Sequence, residues 1–314
     1  MEYPIRTIVA GIGDLDGPDP VLAPAIDLAS RTGATLHLVH AFELPDLSWD
    51  IYARIGYPDR AALERHRGEI LARLESLIGR QTIDERVRCH AIAGPAAPAV
   101  REIAKREDAD LIIVGATRHG SVSRVLLGTT AQRVLRGAPV PVLVLRQPLS
   151  LELRRVLLTT DLSPFSGGVH ELGLDVLEGL ASRDRPEIRS LLVVRYSAEF
   201  PPQIRSDMLE SGAQAELEKF LAARRERRSP VLATVRLGDP ASAIAAEARS
   251  WDADLVVLGT HERAGPRRWL LGSVAEAALR NTEGNVLVVP AGLNQEEGVR
   301  GGRTLKDEWT PQNL

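Results

Sequence analysis

With 314 residues, 44% of them hydrophobic and 26% charged, the chain has the composition of a folded globular protein and about twice the length usual for one domain. That balance excludes disorder as the main state, collagen-like repeats and disulfide scaffolds, Cys89 being the single cysteine. A net charge of −3 gives no strong field, and the longest apolar runs, such as Leu111 to Val114 and Val140 to Leu145, are strand-sized, so neither nucleic acid nor a membrane is expected as a partner. Met1 to Arg6 has no basic region followed by an apolar stretch, and a cytoplasmic location is the expectation.

In chain order, strand-like runs at Thr7 to Ile12, Thr35 to Val39, Val87 to Ile92, Leu111 to Val114 and Val142 to Leu145 alternate with helix-period segments. The helices are predicted at Val21 to Arg31, Arg60 to Ile78, Pro98 to Arg106 and Thr129 to Leu135, the second carrying one apolar stripe of Leu63, Ile70, Leu74, Leu77 and Ile78. Strands that read as unbroken Val, Ile and Leu are buried on both faces, which predicts a five-stranded parallel sheet with helices on either side. Phe42 to Pro58 is an unusually long connection.

The pattern then repeats. Gly94 to Leu145 aligns without a gap onto Gly238 to Val289, every equivalent pair lying 144 apart, as in Asp110 and Asp254, Gly115 and Gly259, or Gly128 and Gly272. The opening strand recurs at Arg155 to Asp161 with an offset of 148, so four residues net are missing from the second copy between its first and third strands. Two domains of one kind follow, 1–147 and 151–291, with a polar, Gly-rich tail over 292–314 that is expected to be disordered. The edge strands Val142 to Leu145 and Val286 to Val289 are expected to meet, packing the two domains as an intrachain pseudo-dimer.

After the fourth strand each copy has a glycine, a twelve-residue interval and Gly-[Ser/Thr] opening the last helix: Gly115 with Gly128-Thr129, and Gly259 with Gly272-Ser273. One reading is a phosphate cradle, in which the first glycine admits a ligand to the backbone and the unpaired N–H groups at the helix N-terminus, those of Gly272, Ser273 and Val274 in the second copy, meet the anion. The other makes Thr129 and Ser273 plain N-caps and the glycines turns. The duplicated unit resembles the universal stress protein family, whose hallmark is G-x2-G-x9-G-[S/T] with an Asp ending the first strand. The likeness covers about Ile5 to Pro290 and is sharpest in VLGTHERAGPRRWLLGSVAE and VLLTTDLSPFS. It implies two tandem flavodoxin-like, adenine nucleotide alpha hydrolase-like α/β domains, with ATP bound in some members and not in others.

The sequence departs from the family where function resides. The second hallmark glycine is Arg118 in the first copy and Glu262 in the second; Arg118 could pair with phosphate, whereas Glu262 repels it. The strand-end Asp is Asp161 in the second copy but Gly13 in the first, with Asp14 one residue later and facing the other way if the strand continues. His261 lies inside the second loop, where it could hydrogen-bond a ligand. Asp14, Asp16 and Asp19 are expected to cap the helix that starts near Pro20, and Ser166-Gly167-Gly168 to start a helix rather than form a phosphate loop. Arg224, Arg225, Arg227 and Arg228 complement a helix C-terminus.

His37, His40, His119 and His261 show no metal-ligand spacing, and no nucleophile motif is present, so neither a metal nor a catalytic set is expected. Two functions remain open: a nucleotide-responsive stress regulator with weak ATP binding at a degenerate site, and a nucleotide-independent scaffold serving a protein partner, in either case with a homodimer as a further option.

Overall fold

The computed structural model describes residues 4–17, 19–42, 60–79, 85–116, 127–149, 152–180, 185–196, 206–224, 230–260 and 271–291. The long connection after Phe42, Arg118, His119, Arg225 to Arg228, His261, Glu262 and the tail from 292 lie outside the described residues.

The first half runs β1 (Thr7–Gly11), α1 (Leu22–Thr32), β2 (Thr35–Phe42), α2 (Arg60–Ile78), β3 (Val87–Ala93), α3 (Ala96–Arg106), β4 (Leu111–Gly115), α4 (Thr129–Leu135) and β5 (Val142–Leu145). The second runs β6 (Arg155–Thr160), α5 (Ser166–Leu180), β7 (Glu187–Val194), α6 (Ser206–Ala222), β8 (Val231–Leu237), α7 (Pro240–Ser250), β9 (Leu255–Gly259), α8 (Ser273–Asn281) and β10 (Asn285–Val289). Successive residues of one strand serve opposite layers: Leu111 and Ile113 join the core under α1 and α2, Ile112 and Val114 the one under α3 and α4. This two-sided burial is why these strands read as continuous apolar runs.

All ten strands form one sheet, ordered β3-β2-β1-β4-β5-β10-β9-β6-β7-β8. Among the described strands pairing is parallel within each half and antiparallel only between β5 and β10, where Val142, Leu143 and Val144 face Val288, Leu287 and Val286. Leu143 thus sits opposite its own repeat equivalent, Leu287, so a pseudo-two-fold axis passes between them. Because the central pair is antiparallel, the C-terminal ends of the strands point in opposite directions in the two halves. The expected pseudo-dimer is this continuous sheet. One asymmetric bond set reinforces the seam: Asn285, where the first half has Pro141, accepts the Arg146 N–H at 2.9 Å and the Gln147 N–H at 3.3 Å. The buried Arg146 guanidinium donates to the Leu279 carbonyl.

The halves share their backbone devices. Asp110 accepts the Arg6 and Thr7 N–H groups at 2.8 and 2.9 Å, and Asp254 does the same for Arg154 and Arg155 at 2.7 and 2.8 Å, tying the start of the first strand to the start of the fourth. Gly94 and Gly238 hold φ of +123° and +132°, a conformation that L side chains rarely adopt, and each donates to the end of the second strand. Asp108 and Asp252 close α3 and α7 at φ of +47° and +52°, the left-handed region that Asp tolerates better than most residues.

The strand registers locate the length differences. Equivalents lie 148 apart in β1 and β6 (Thr7 and Arg155), 152 in β2 and β7 (Thr35 and Glu187) and 144 in β3 and β8 (Val87 and Val231). The net deficit of four is therefore an insertion of four after α5 and a loss of eight around α6. α5 begins at Ser166, so Ser166-Gly167-Gly168 opens a helix as expected, and the Gly167 position leaves room for the guanidinium of Arg224, whose Nη1 donates to Phe220 O at 2.8 Å.

Candidate functional site

In an open parallel sheet, ligands bind beyond the C-terminal ends of the strands. The second half has a cavity of about 520 Å³ there, walled by the ends of β6, β7 and β9, the start of α7 and the first turn of α8. Asp161 stands directly after β6 and is exposed. Its Oδ1 accepts the Ser163 N–H at 3.0 Å and the Ser166 hydroxyl, and the Ser163 and Ser166 hydroxyls lie 3.1 Å apart. These bonds aim the carboxylate along the cavity wall. Leu162, between them, holds φ of +55°, a strained conformation for a branched residue, and packs away from the site beside the cluster of Leu192, Leu217, Leu221 and Val235.

The first turn of α8 forms one end of the cavity through Val274 and Ala275. Gly272 occupies the cap position with φ −62° and ψ 154°, and among the described residues no side chain caps the helix. Ser273 is the first helical residue, so its hydroxyl is not an N-cap. The plain-cap reading therefore fails in the second half, and the turn presents N–H groups and the positive dipole end to the cavity. The first half has the same geometry at Gly128, with φ −63°, ψ 151° and no side-chain cap among the described residues, and Thr129 likewise begins the helix instead of capping it. Its α4 spans only seven residues, against nine in α8. Neither cap glycine has a positive φ.

Gly115 and Gly259 serve the protein's own packing. A Cβ on Gly259 would meet Val169 Cγ1 at 2.7 Å, and one on Gly115 would meet Val21 Cγ2 at 3.3 Å. Val21 and Val169 are repeat equivalents, at the N-cap of α1 and in the first turn of α5, so both halves seat on this glycine a valine from the start of the helix that follows the first strand.

At the end of β1, Gly13 replaces Asp161, and the strand stops at Gly11 instead of continuing through Asp14. Asp14 turns locally, accepting the Asp16 and Gly17 N–H groups at 2.8 and 3.0 Å. Asp19 folds back: its Oδ2 accepts the Gly13 and Asp14 N–H groups at 2.8 and 3.2 Å, and its Oδ1 the Val21 N–H at 2.7 Å. Of the three aspartates only Asp19 serves the helix start, through the N–H of Val21 at the N-cap of α1, and it staples that start to the strand end; Asp14 turns locally and Asp16 pairs with Arg73. A Cβ on Gly13 would lie 3.8 Å from Asp19 Oδ2, so an internal carboxylate stands near where the first half lacks its own acid.

The remaining titratable clusters are structural. His37 is buried, with Nδ1 3.0 Å from His90 Nε2 and Nε2 3.9 Å from Glu107. Burial depresses both imidazoles, His90 to about 4 with further lowering by His37. His40 Nδ1 lies 3.0 Å from the Ile12 carbonyl. In the second half the place of His37 is taken by Arg189, which pairs with the buried Glu247 at 2.5 Å and lies over Trp251, while Arg236 pairs with the same carboxylate at 2.8 Å. Among the described residues no three His, Cys, Asp or Glu side chains converge to hold a metal ion. No helix among them is long and apolar enough to cross a membrane.

Sequence reasoning missed Thr159, Thr160, Ser163 and Arg195 as cavity residues. Ser163 lay within the quoted DLSPFS stretch; Arg195 lies beyond the end of β7, where no motif marks it.

The family model for universal stress proteins matches residues 4–146 and again 152–290, and the chain belongs to that family as a tandem protein. It is 27% identical over 297 residues to a universal stress protein of Mycobacterium tuberculosis, covering 90% of this chain and 96% of that one. Over 144 residues, 45% of this chain, it is 31% identical to Universal stress protein G of Salmonella typhimurium, of which it covers 99%. The fold matches a putative universal stress protein from Pseudomonas aeruginosa with TM-score 0.66 at 20% identity, over 92% of this chain and 94% of the other.

Proposed function

We propose that the chain is a cytoplasmic stress-response regulator whose second half binds a nucleotide, by binding rather than by turnover. The observation that carries this reading is the cavity at the ends of β6, β7 and β9, with the uncapped turn of α8 at one end and Asp161 in its wall. Phosphate oxygens would accept from the N–H groups of that turn, which needs no basic side chain. A sugar hydroxyl would donate to the Asp161 carboxylate; a hydrogen bond to a charged group is worth about 1.5–3 kcal/mol. The position of Glu262, read from sequence alone, opposes phosphate and accounts for weak rather than tight binding. Titration of the whole chain with ATP and GTP tests the reading. Asp161→Ala should weaken binding by about tenfold or more, and unchanged affinity in that variant would remove Asp161 from the site.

A second reading, a nucleotide-independent scaffold, is favoured by one observation: in the first half the amides after β1 are already occupied by Asp19. Absence of any nucleotide binding to the whole chain would support it.

A further inference from the structure

Two charged side chains are found among the described residues lining the cavity, Asp161 and Arg195. Leu191, Val193 and Arg195 all face the cavity, so Arg195 continues the alternation of β7 one step past the strand's end at Val194. β9, β6 and β7 are adjacent strands. The uncapped turn of α8 meets the cavity beside the end of β9, and Arg195 beside the end of β7. Two strand spacings separate those ends, about 10 Å, with Asp161 at β6 between them. A mononucleotide laid along the crevice with its phosphate on α8 and its sugar at Asp161 brings its base to Arg195. Leu191, Val193, Pro240 and Ile244 make that end apolar, as a flat ring requires.

We propose that Arg195 reads the edge of the base and selects a 6-oxopurine, guanine or hypoxanthine, over adenine. This rests on the nucleotide reading above and departs from the ATP expectation that the family resemblance raises. A guanidinium is always charged and only donates. The O6 and N7 atoms of a 6-oxopurine both accept, with a spacing that fits its fork. Adenine puts an amino donor where O6 would be, so one arm of the fork meets a donor and cannot pair with it. The Arg195 charge is felt by Asp239, the N-cap of α7, whose carboxyl is lowered first by the Ser242 N–H and the Ser242 hydroxyl, with Arg195 adding to them.

The experiment is calorimetric titration of the full chain, wild type and Arg195→Gln, with GMP, IMP and AMP. Wild type should bind GMP and IMP about tenfold or more tighter than AMP. In Arg195→Gln, whose amide both donates and accepts and so also suits adenine N6 and N7, that ratio should fall to unity or below as AMP binding tightens. Arg195 is exposed, so the variant should keep the wild-type melting temperature. Equal or tighter AMP binding by wild type overturns the inference and leaves the nucleotide reading standing; so does an unchanged ratio in the variant, as expected if the guanidinium merely stacks on the ring. Failure of all three nucleotides to bind wild type overturns both.

Discussion

At the scale of single residues, the repeat separates what the fold needs from what a ligand needs. Gly115 and Gly259 invite a ligand reading, yet the space each leaves is filled by a valine of its own half. The clearance differs, 3.3 Å at Gly115 and 2.7 Å at Gly259. Gly259→Ala should therefore cost about 1–3 kcal/mol through overpacking against the stiff Val169, and Gly115→Ala distinctly less. Urea denaturation of the two variants compares them, and equal costs would contradict the packing account. The histidine pair makes a second residue-scale prediction. His90 is depressed from an ordinary value of 6.5 to about 4 by burial first, so the folded chain resists a proton that the unfolded chain accepts. Its contribution is fully present above pH 6.5 and is lost as the pH falls towards 4. His37, also lowered by burial, acts in the same direction, while Arg88 and Arg106 disfavour a proton on either ring and Glu107 favours it. His90→Gln should flatten the pH dependence of stability across that window; a slope as steep as wild type would assign it to other groups.

At the scale of elements, the seam between β5 and β10 decides whether there are two domains or one sheet. Leu143 and Leu287 are both buried and face each other on the pseudo-two-fold axis. Leu287→Asp would bury an unpaired carboxylate at the centre of the sheet, and loss of several kcal/mol, about 3 or more, is expected. Solution scattering should then show an expanded particle, where wild type gives one compact body; a variant as compact as wild type would mean that the helices, not the seam, hold the halves together. The elements themselves were largely legible, because strands buried on both faces announce themselves as unbroken Val, Ile and Leu, and α2 and α4 begin and end where the apolar period does. What was not legible depends on three-dimensional register. His37 and His90 meet because β2 and β3 pair with His37 beside Arg88, two residues from His90. Asp19 returns to Gly13 across a turn that no local pattern encodes. Thr129 and Ser273 looked like caps because hydroxyls favour that position, whereas the backbone sets the preceding glycine there. Arg195 enters the cavity only because the phase of β7 persists beyond the strand.

At the scale of the whole molecule, duplication has produced two halves that keep the same clamps, glycines and left-handed aspartates while their strand ends have diverged. The antiparallel seam sends the two crevices to opposite edges of the sheet, so one ligand cannot bridge them. The first half stations Asp19 where the second keeps Asp161, its amides satisfied internally and its α4 short. The account's central claim is an asymmetric protein: one nucleotide per chain, held by the second half. Counting bound GMP per chain by equilibrium titration of wild type, Asp161→Ala and Asp19→Ala tests it most directly. The prediction is one GMP per chain, its affinity weakened about tenfold or more in Asp161→Ala and unchanged in Asp19→Ala; two per chain, or affinity that is kept without Asp161 and lost without Asp19, would contradict it.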